Sequence, residues 1–336
     1  QVLIMGTHAH AAVSETVESA NSMRETRGFA KLMNAVLRRV AREGEAILSA
    51  LPEGAHLPAW LFTRWRAAYG ADKAAAMAMA TLKPAPLELS VKADASLGAE
   101  RLGGILTPTG SVRLKQHERV ESLSGFAEGA WWVQDAAAAL PAKLLGDVAG
   151  ARVLDLCAAP GGKTLQLAAA GAVVTAVDKS PARLERLSQN MARTGLSAEV
   201  IAADALSFRA EPFDAILLDA PCSSTGTLRR HPDVAWLRRP GDIRALAELQ
   251  IQLIEAAAAL LKPGGRMVYA VCSLEPEEGA AIGAAAFQRG WRRAPFPDLG
   301  GIEPFVTADG DLRTLQSQWP KAGGLDGFFA ARLTRG

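Results

Sequence analysis

The sequence predicts an α/β protein: a mostly parallel, doubly wound sheet toward the C-terminus, preceded by a small α+β segment and a helical N-terminal region. Three observations predict it. From Arg152 onward, short apolar segments alternate with helix-patterned ones, as strands joined by crossover helices do. Between Leu87 and about Gln134 the pattern is one of short alternating stretches punctuated by Gly and Pro. Before Leu82, apolar residues recur at helical spacing. With 336 residues, 49% of them apolar, the chain can bury more than one core. The expected limits are 1–82 for the helical region, 83–140 for the small α+β segment and 141–336 for the doubly wound domain.

In chain order, Phe29, Leu32, Met33, Val36, Leu37 and Val40 mark a first clear helix, and Pro52 and Pro58 break the pattern. A second helical stretch starts near Ala59, with Trp60, Leu61 and Trp65 on one face, and Ala-rich sequence continues to Leu82. Lys83 to Pro86 reads as a linker. Leu87–Leu89, Gly104–Leu106 and Ser111–Leu114 are short strand candidates. Beyond them, strands are expected at Val153–Leu156, Val173–Val177, Val200–Ala202, Asp214–Leu218 and Met267–Val271. Helices are expected at Leu165–Ala170, Ala182–Arg193 and Ile243–Leu261, the last ended by Pro263-Gly264-Gly265. Sheets of this kind take their ligands at the carboxyl ends of the strands.

Net charge is +2, from 37 basic and 35 acidic residues, and neither demands nor excludes nucleic acid. No apolar run approaches the roughly 20 residues a membrane span needs. No secretory leader pattern is present at the start. A cytoplasmic protein without a membrane partner is expected, and nothing in the sequence calls for an oligomer, so a monomer is expected too. The chain opens on Gln rather than Met, and its first residues read as mid-helix, which predicts a piece of a longer protein. Cys157, Cys222 and Cys272 are too few and too scattered for a disulfide framework or a metal site.

The first strand runs into Asp155-Leu156-Cys157-Ala158-Ala159-Pro160-Gly161-Gly162-Lys163-Thr164. A Gly-rich turn between strand and helix lets backbone approach a ligand closely. Gly162-Lys163-Thr164 matches the end of a phosphate-binding loop, but Cys157 stands where that motif needs its first Gly. The dinucleotide spacing G-x-G-x-x-G is absent. The remaining reading is a loop for S-adenosylmethionine, facing the amino acid part of that cofactor. Asp178 closes the next strand, 23 residues after Asp155, where a carboxylate can accept from both ribose hydroxyls. Asp204 ends the third strand, placed for an adenine amine, and Asp219 ends the fourth. One strand-end Asp is often only a helix cap; four in succession point to a site.

Cys222, in Asp219-Ala220-Pro221-Cys222-Ser223-Ser224, follows the fourth strand, and Cys272 ends the fifth, 50 residues on. Buried structural cysteines belong mid-strand, whereas these sit where such folds do chemistry. A thiolate next to a methyl donor suits a poor carbon nucleophile such as carbon 5 of cytosine. Addition of the thiolate to carbon 6 makes carbon 5 enamine-like, and a base later removes the carbon 5 proton. Asp219 can meet the ring nitrogen edge, and Lys163 can favour the thiolate electrostatically. The chemistry alone leaves the roles of the two cysteines exchangeable.

These residues resemble the Nol/Nop/Sun family of RNA cytosine-5 methyltransferases. The matching pieces are Trp132-Val133-Gln134-Asp135, Asp155–Thr164, Asp219-Ala220-Pro221-Cys222-Ser223 and Arg229-Arg230-His231-Pro232-Asp233, then Cys272-Ser273-Leu274-Glu275-Pro276-Glu277-Glu278 and Gly324-Leu325-Asp326-Gly327-Phe328-Phe329. They fall in order from about residue 83 to the end, and that combination is highly specific. The resemblance implies a Rossmann-like S-adenosylmethionine-dependent methyltransferase domain. It implies that Cys157, Ala158, Ala159, Pro160, Gly161, Gly162 and Lys163, with Asp178, Asp204 and Asp219, contact the cofactor. It implies Cys272 as nucleophile, Cys222 in product release, and RNA, small-subunit ribosomal RNA above all, as substrate. Leu32-Met33-Asn34-Ala35-Val36-Leu37-Arg38-Arg39 is similar to the last helices of a NusB-like RNA-binding domain, here partial.

Arg229, Arg230, Arg238 and Arg239, with His231 and Arg244, follow the Cys222 loop and are expected to neutralise RNA phosphates. The competing reading is a solvated helix start paired with Asp233 and Asp242. Arg38, Arg39 and Arg42 carry the same ambiguity. Trp236 can help unstack the target base, though a Trp near a helix end is more often core; Glu275, Glu277 and Glu278 read as the acidic start of a helix. His8, His10, His56 and His117 carry no signal. Two rivals stand against this reading. An amine methyltransferase would place Asp or Asn before Pro-Pro and an aromatic residue, whereas Asp219-Ala220-Pro221-Cys222 occupies that position. An RNA-binding assembly factor without activity would have no need of intact cysteines, aspartates and glycine loop.

Overall fold

The computed structural model describes residues 2–3, 6–114 and 119–335, so His117 lies outside the described residues. Four helices come first: α1 (Ala9–Ser22), α2 (Ala30–Ala50), α3 (Ala59–Tyr69) and α4 (Ala71–Thr81). Among the described residues the expected mid-helix opening is not found: Val2 and Leu3 lie in a turn and α1 begins at Ala9. Pro52 and Pro58 bound a non-helical stretch, as the missing donor of proline requires, and Pro58 is the N-cap of α3. Gly70, at φ +83°, separates α3 from α4, so the expected continuous stretch is two helices. Leu61, Trp65, Ala74, Met77 and Ala78 form a core with Leu228, Ala235 and Leu274 of the C-terminal half.

A four-stranded antiparallel sheet follows, ordered β2-β3-β1-β4, from β1 (Glu88–Val91), α5 (Ala95–Arg101), β2 (Ile105–Leu106), β3 (Val112–Arg113) and β4 (Trp131–Val133). Its buried Glu88 pairs with Arg113, whose Nε donates over 2.7 Å. Arg113 also reaches the carbonyl of Gly324 near the other end of the chain.

The large sheet has eight strands. Its elements are α6 (Leu140–Leu144), β5 (Arg152–Leu156), α7 (Gly162–Ala169), β6 (Val173–Asp178), α8 (Pro181–Thr194), β7 (Glu199–Ala202) and β8 (Phe213–Asp219). Then come α9 (Val234–Leu237), α10 (Pro240–Ala258), β9 (Leu261–Val271), α11 (Ala280–Phe287), β10 (Trp291–Arg293), β11 (Leu312–Thr314) and β12 (Phe328–Arg335). β9, β8, β5, β6 and β7 are neighbours in that order and parallel; β12 joins β9 antiparallel and carries β10 and β11. Both faces are covered. Leu154, Leu156, Ile216, Leu218, Met267 and Tyr269 pack on one side with Leu253 and Ile254 of α10. Val153, Ala215, Leu217, Val268 and Ala270 pack on the other with Leu140 and Leu144 of α6. That two-sided burial is why these strands are continuously apolar.

One boundary differs from expectation. α10 ends at Ala258, and β9 begins before the Pro-Gly-Gly triplet. Pairing steps from Phe213↔Leu261 to Ala215↔Arg266, so Lys262–Gly265 bulge out of one strand rather than ending a helix. Among the described residues no helix is long and apolar enough to cross a membrane.

Candidate active site

β5 has β6 on one side and β8 on the other, so the chain's crossovers change direction there and leave a crevice at the strand ends. The loop leaving β5 is built to be tight. Cys157 takes a left-handed backbone at φ +62°, and Gly161 sits at φ +105° as N-cap of α7. A Cβ on Gly161 would lie 2.6 Å from Leu187, so both conformation and space demand glycine. Asp155 is fully buried and accepts from Thr164 Oγ1 over 2.6 Å, which pins the loop to the start of α7. Burial pushes the Asp155 carboxyl up to about 7.

Asp178 takes the Ala159 N–H at 3.2 Å and the Ser180 N–H at 2.9 Å. Asp204 accepts from Leu206 N–H at 2.9 Å and keeps an exposed side chain. Cys157, Asp178 and Asp204 line one cleft with Val177, Leu206, Pro221 and Leu253. Lys179 and Arg183 also line it, and its apolar residues with two carboxylates suit a flat base joined to a hydroxylated sugar, so this cleft fits the adenosyl part of S-adenosylmethionine. Burial pushes the Cys157 thiol up to about 12, so it serves here by backbone shape and not as a thiolate. A separate cleft of about 480 Å³, walled by Lys92, Trp132, Lys143 and Gln166 among others, contains none of the cysteines.

Deeper in, Lys163 Nζ donates to Asp219 Oδ2 over 2.7 Å. Burial opposes the Lys163 charge, but the Asp219 carboxylate outweighs it and holds the ammonium above its ordinary value. Cys222 and Cys272 meet with their sulfurs 3.4 Å apart, and Ser224 Oγ lies 3.6 Å from Cys272 Sγ. Parallel pairing of Asp219 with Ala270 carries the two following loops to the same rim. The thiol of Cys222 donates toward Cys272 and, against burial, draws Cys272 below the ordinary thiol value. Giving that hydrogen bond, together with burial, holds Cys222 well above it. The pair is therefore polarised, with the anion favoured on Cys272.

Glu278 ties both cysteine loops together. Its carboxyl accepts from Ser223 N–H at 2.8 Å, Ser273 Oγ at 2.6 Å and Gln250 Nε2 at 3.0 Å, and from the Ser223 hydroxyl. The acidic run does open a short helical turn ahead of α11, but Glu275 and Glu278 are spent on buried contacts rather than on a solvated helix start. Pro276–Glu278 is a 3₁₀ turn, α11 begins at Ala280, and Glu275 and Glu278 are fully buried. The sequence signal for this was available in the three acids lying so close to Cys272, but their partners are distant in the chain.

Of the four expected RNA-facing arginines, Arg229 and Arg238 are turned inward, and Arg230, though exposed, is held in an ion pair. Arg229 is buried and donates to the carbonyls of Pro84 and Gly323. Arg230 pairs with buried Asp326. Arg238 donates to the carbonyls of Ser223 and Cys222, bracing the Cys222 loop. Each satisfies an acceptor that folding removes from water, a stronger demand than a surface cation's. Arg239 keeps an exposed side chain, as do Arg244 and His231. Trp236 is 66% exposed, not core.

A family described as the 16S rRNA methyltransferase RsmB/F matches residues 142–334. The chain belongs to this family. Ribosomal RNA small subunit methyltransferase B of Vibrio cholerae is 38% identical over 100% of this chain and 79% of that protein. The protein of the same description from Pseudomonas syringae is 40% identical over 97% of this chain and 77% of its own length. A methyltransferase homologue from Pyrococcus horikoshii superimposes with a TM-score of 0.70, at 28% identity, over 83% of this chain and 95% of that one.

Proposed function

We propose that this chain methylates carbon 5 of a cytosine in RNA, small-subunit ribosomal RNA as its family description indicates, using S-adenosylmethionine. The observation that carries the reading is the thiol pair, 3.4 Å between sulfurs, beside Lys163 and Asp219 at the strand ends. When bound, the cofactor supplies an electrophilic methyl group; Asp178 and Asp204 would hold its adenosyl part, with the Cys157–Gly162 backbone and Lys163 around the rest. Cys272, as thiolate, adds to carbon 6 of the ring and makes carbon 5 nucleophilic. Lys163 stabilises the anionic form of Cys272, and Asp219 orients the ring edge while holding Lys163 in place. After methylation the carbon 5 proton must pass to a base before the carbon 6–sulfur bond breaks and returns the Cys272 thiolate; once Cys272 is bonded to carbon 6 it no longer holds the Cys222 proton, and we assign Cys222, as thiolate, to accept the carbon 5 proton. The cytosine must leave its stack to reach the thiolate. Arg239, Arg244 and Trp236, exposed beyond the Cys222 loop, form the RNA-facing rim. The reading extends to a monomeric cytoplasmic protein with the three-part division at residues 82 and 140.

The test is RNA bearing 5-fluorocytidine, mixed with protein and S-adenosylmethionine and run on a denaturing gel. Fluorine at carbon 5 cannot leave as a proton, so the adduct persists. Adduct with wild type and Cys222→Ala but not Cys272→Ala is expected. The reverse pattern would exchange the cysteine roles, and no adduct with any RNA would overturn the covalent route.

A further inference from the structure

The loop that follows Cys272 is not held by the doubly wound domain alone. Glu275 is fully buried, and its carboxylate has two side-chain partners, both on α3. Arg64 Nε donates to its Oε2 over 2.6 Å, and Trp65 Nε1 to its Oε1 over 3.3 Å. The same guanidinium forks to Glu277 Oε2 over 2.6 Å. One turn further along α3, Tyr69 gives its hydroxyl proton to the Leu274 carbonyl over 2.5 Å. From the other side, Arg313 of β11 reaches the Ser273 carbonyl over 2.5 Å. Thus residues 274–277, two positions beyond Cys272, are gripped by α3 through one ion-pair fork and two further hydrogen bonds. Residues 59–69 lie outside the 142–334 stretch that matches the family.

We propose that α3 is a positioning element of the active site, with Arg64 acting through Glu275 to hold the Cys272 loop in its reactive place. This rests on Cys272 being the nucleophile. Burial raises the Glu275 carboxyl, and Arg64 opposes that rise. If Arg64 is lost, an unpaired buried carboxylate is left in the loop that carries Cys272. Such a group is costly, and the loop relieves it by moving outward toward water. A displacement of about 1 Å at a reacting group can lower a rate about 100-fold. The unit that does the chemistry therefore begins at α3 and not at the start of the matched domain. Any partner that shifts the N-terminal helices also shifts the nucleophile.

The experiment uses the full chain in four forms: wild type, Arg64→Ala, Glu275→Gln and the double variant Arg64→Ala/Glu275→Gln. Methyl transfer to RNA gives kcat and KM, and iodoacetamide labelling, mapped by mass, gives the Cys272 to Cys222 labelling ratio without RNA. Arg64→Ala is expected to lower kcat about 100-fold with the KM for S-adenosylmethionine within about twofold, and to lower the labelling ratio. Removing the charge in the double variant is expected to restore kcat to within about tenfold of wild type, because the neutral amide no longer needs the guanidinium. A packing role for Arg64 gives no such rescue, so an unrescued double variant overturns the proposal, as does Arg64→Ala with wild-type kcat. If Arg64→Ala fails to fold, the proposal still stands or falls on the double variant against Glu275→Gln. If no form methylates RNA, the proposed reaction fails, while the labelling ratio still reports whether α3 positions Cys272.

Discussion

Replacing Glu278 with Ala tests how the two cysteines are held. Four donors converge on its carboxyl: the Ser223 N–H, the Ser223 and Ser273 hydroxyls, and the Gln250 amide. Their fates after truncation differ. The two hydroxyls lie 3.0 Å apart and can bond each other, and Gln250 keeps the Pro221 carbonyl at 2.9 Å. The Ser223 N–H is left buried without an acceptor, which costs about 1–3 kcal/mol. A cavity at a fully buried position adds about 1–2 kcal/mol. A loss of about 3 kcal/mol is expected by urea unfolding at unchanged m-value. Glu278→Gln keeps one acceptor oxygen and the volume, and should lose about 1 kcal/mol. Methyl transfer, measured where each variant is still folded, should fall more for Ala than for Gln, because Ser223 and Ser273 adjoin the two thiols. A loss below about 1 kcal/mol for Ala, or equal losses for Ala and Gln, would refute the idea that this carboxyl organises both loops.

Three more outcomes are expected. Lys163→Met removes a cation that favours the Cys272 thiolate, so the midpoint of Cys272 alkylation against pH should move upward, and an unmoved profile would deny Lys163 that role. Asp155, with its folded carboxyl at about 7 against an ordinary 3.8, stabilises the fold fully below pH 4, and that contribution is lost as pH rises through 7. Asp155→Asn should therefore gain on wild type between pH 4 and 7, by up to about 4 kcal/mol, in urea unfolding at a series of pH values; a constant difference across that range would contradict it. Trp236→Ala should leave stability within about 0.5 kcal/mol because the ring is exposed. It should weaken RNA binding by about 1–3 kcal/mol if the indole stacks on a base, as read by fluorescence titration.

What could be read from the chain is what local pattern encodes. The parallel strands, the glycine turn after Asp155 and the strand-end placement of Cys222 and Cys272 follow from period, turn chemistry and topology, each contained within a few residues. What could not be read depends on partners far along the chain. Arg64 and Glu275 are 211 positions apart, and nothing near either announces the other. Arg229, Arg230 and Arg238 look like a basic cluster only because the carbonyls and carboxylate that absorb them lie elsewhere in sequence. The Pro-Gly-Gly triplet reads as a helix stop, but tertiary pairing with β8 draws it into a strand as a bulge. The antiparallel additions β10, β11 and β12 give short or mixed patterns that acquire meaning only against β9.

That Arg229, Arg230 and Arg238 already have partners within the fold has a thermodynamic consequence. Affinity for a polyanion grows with the counterions released from it, and each phosphate neutralised contributes about one unit to the slope of log affinity against log salt. Cations already matched to carbonyls and a carboxylate inside the fold release none. Across this rim few charges remain, chiefly Arg239 and Arg244, and Arg244 already faces Glu248. The rim's share of RNA affinity should therefore change little with ionic strength, with a slope of about 1–2. On the proposed reading, discrimination at this rim would fall to shape and to the unstacked base rather than to charge, and the rim would add little electrostatic hold on a methylated product.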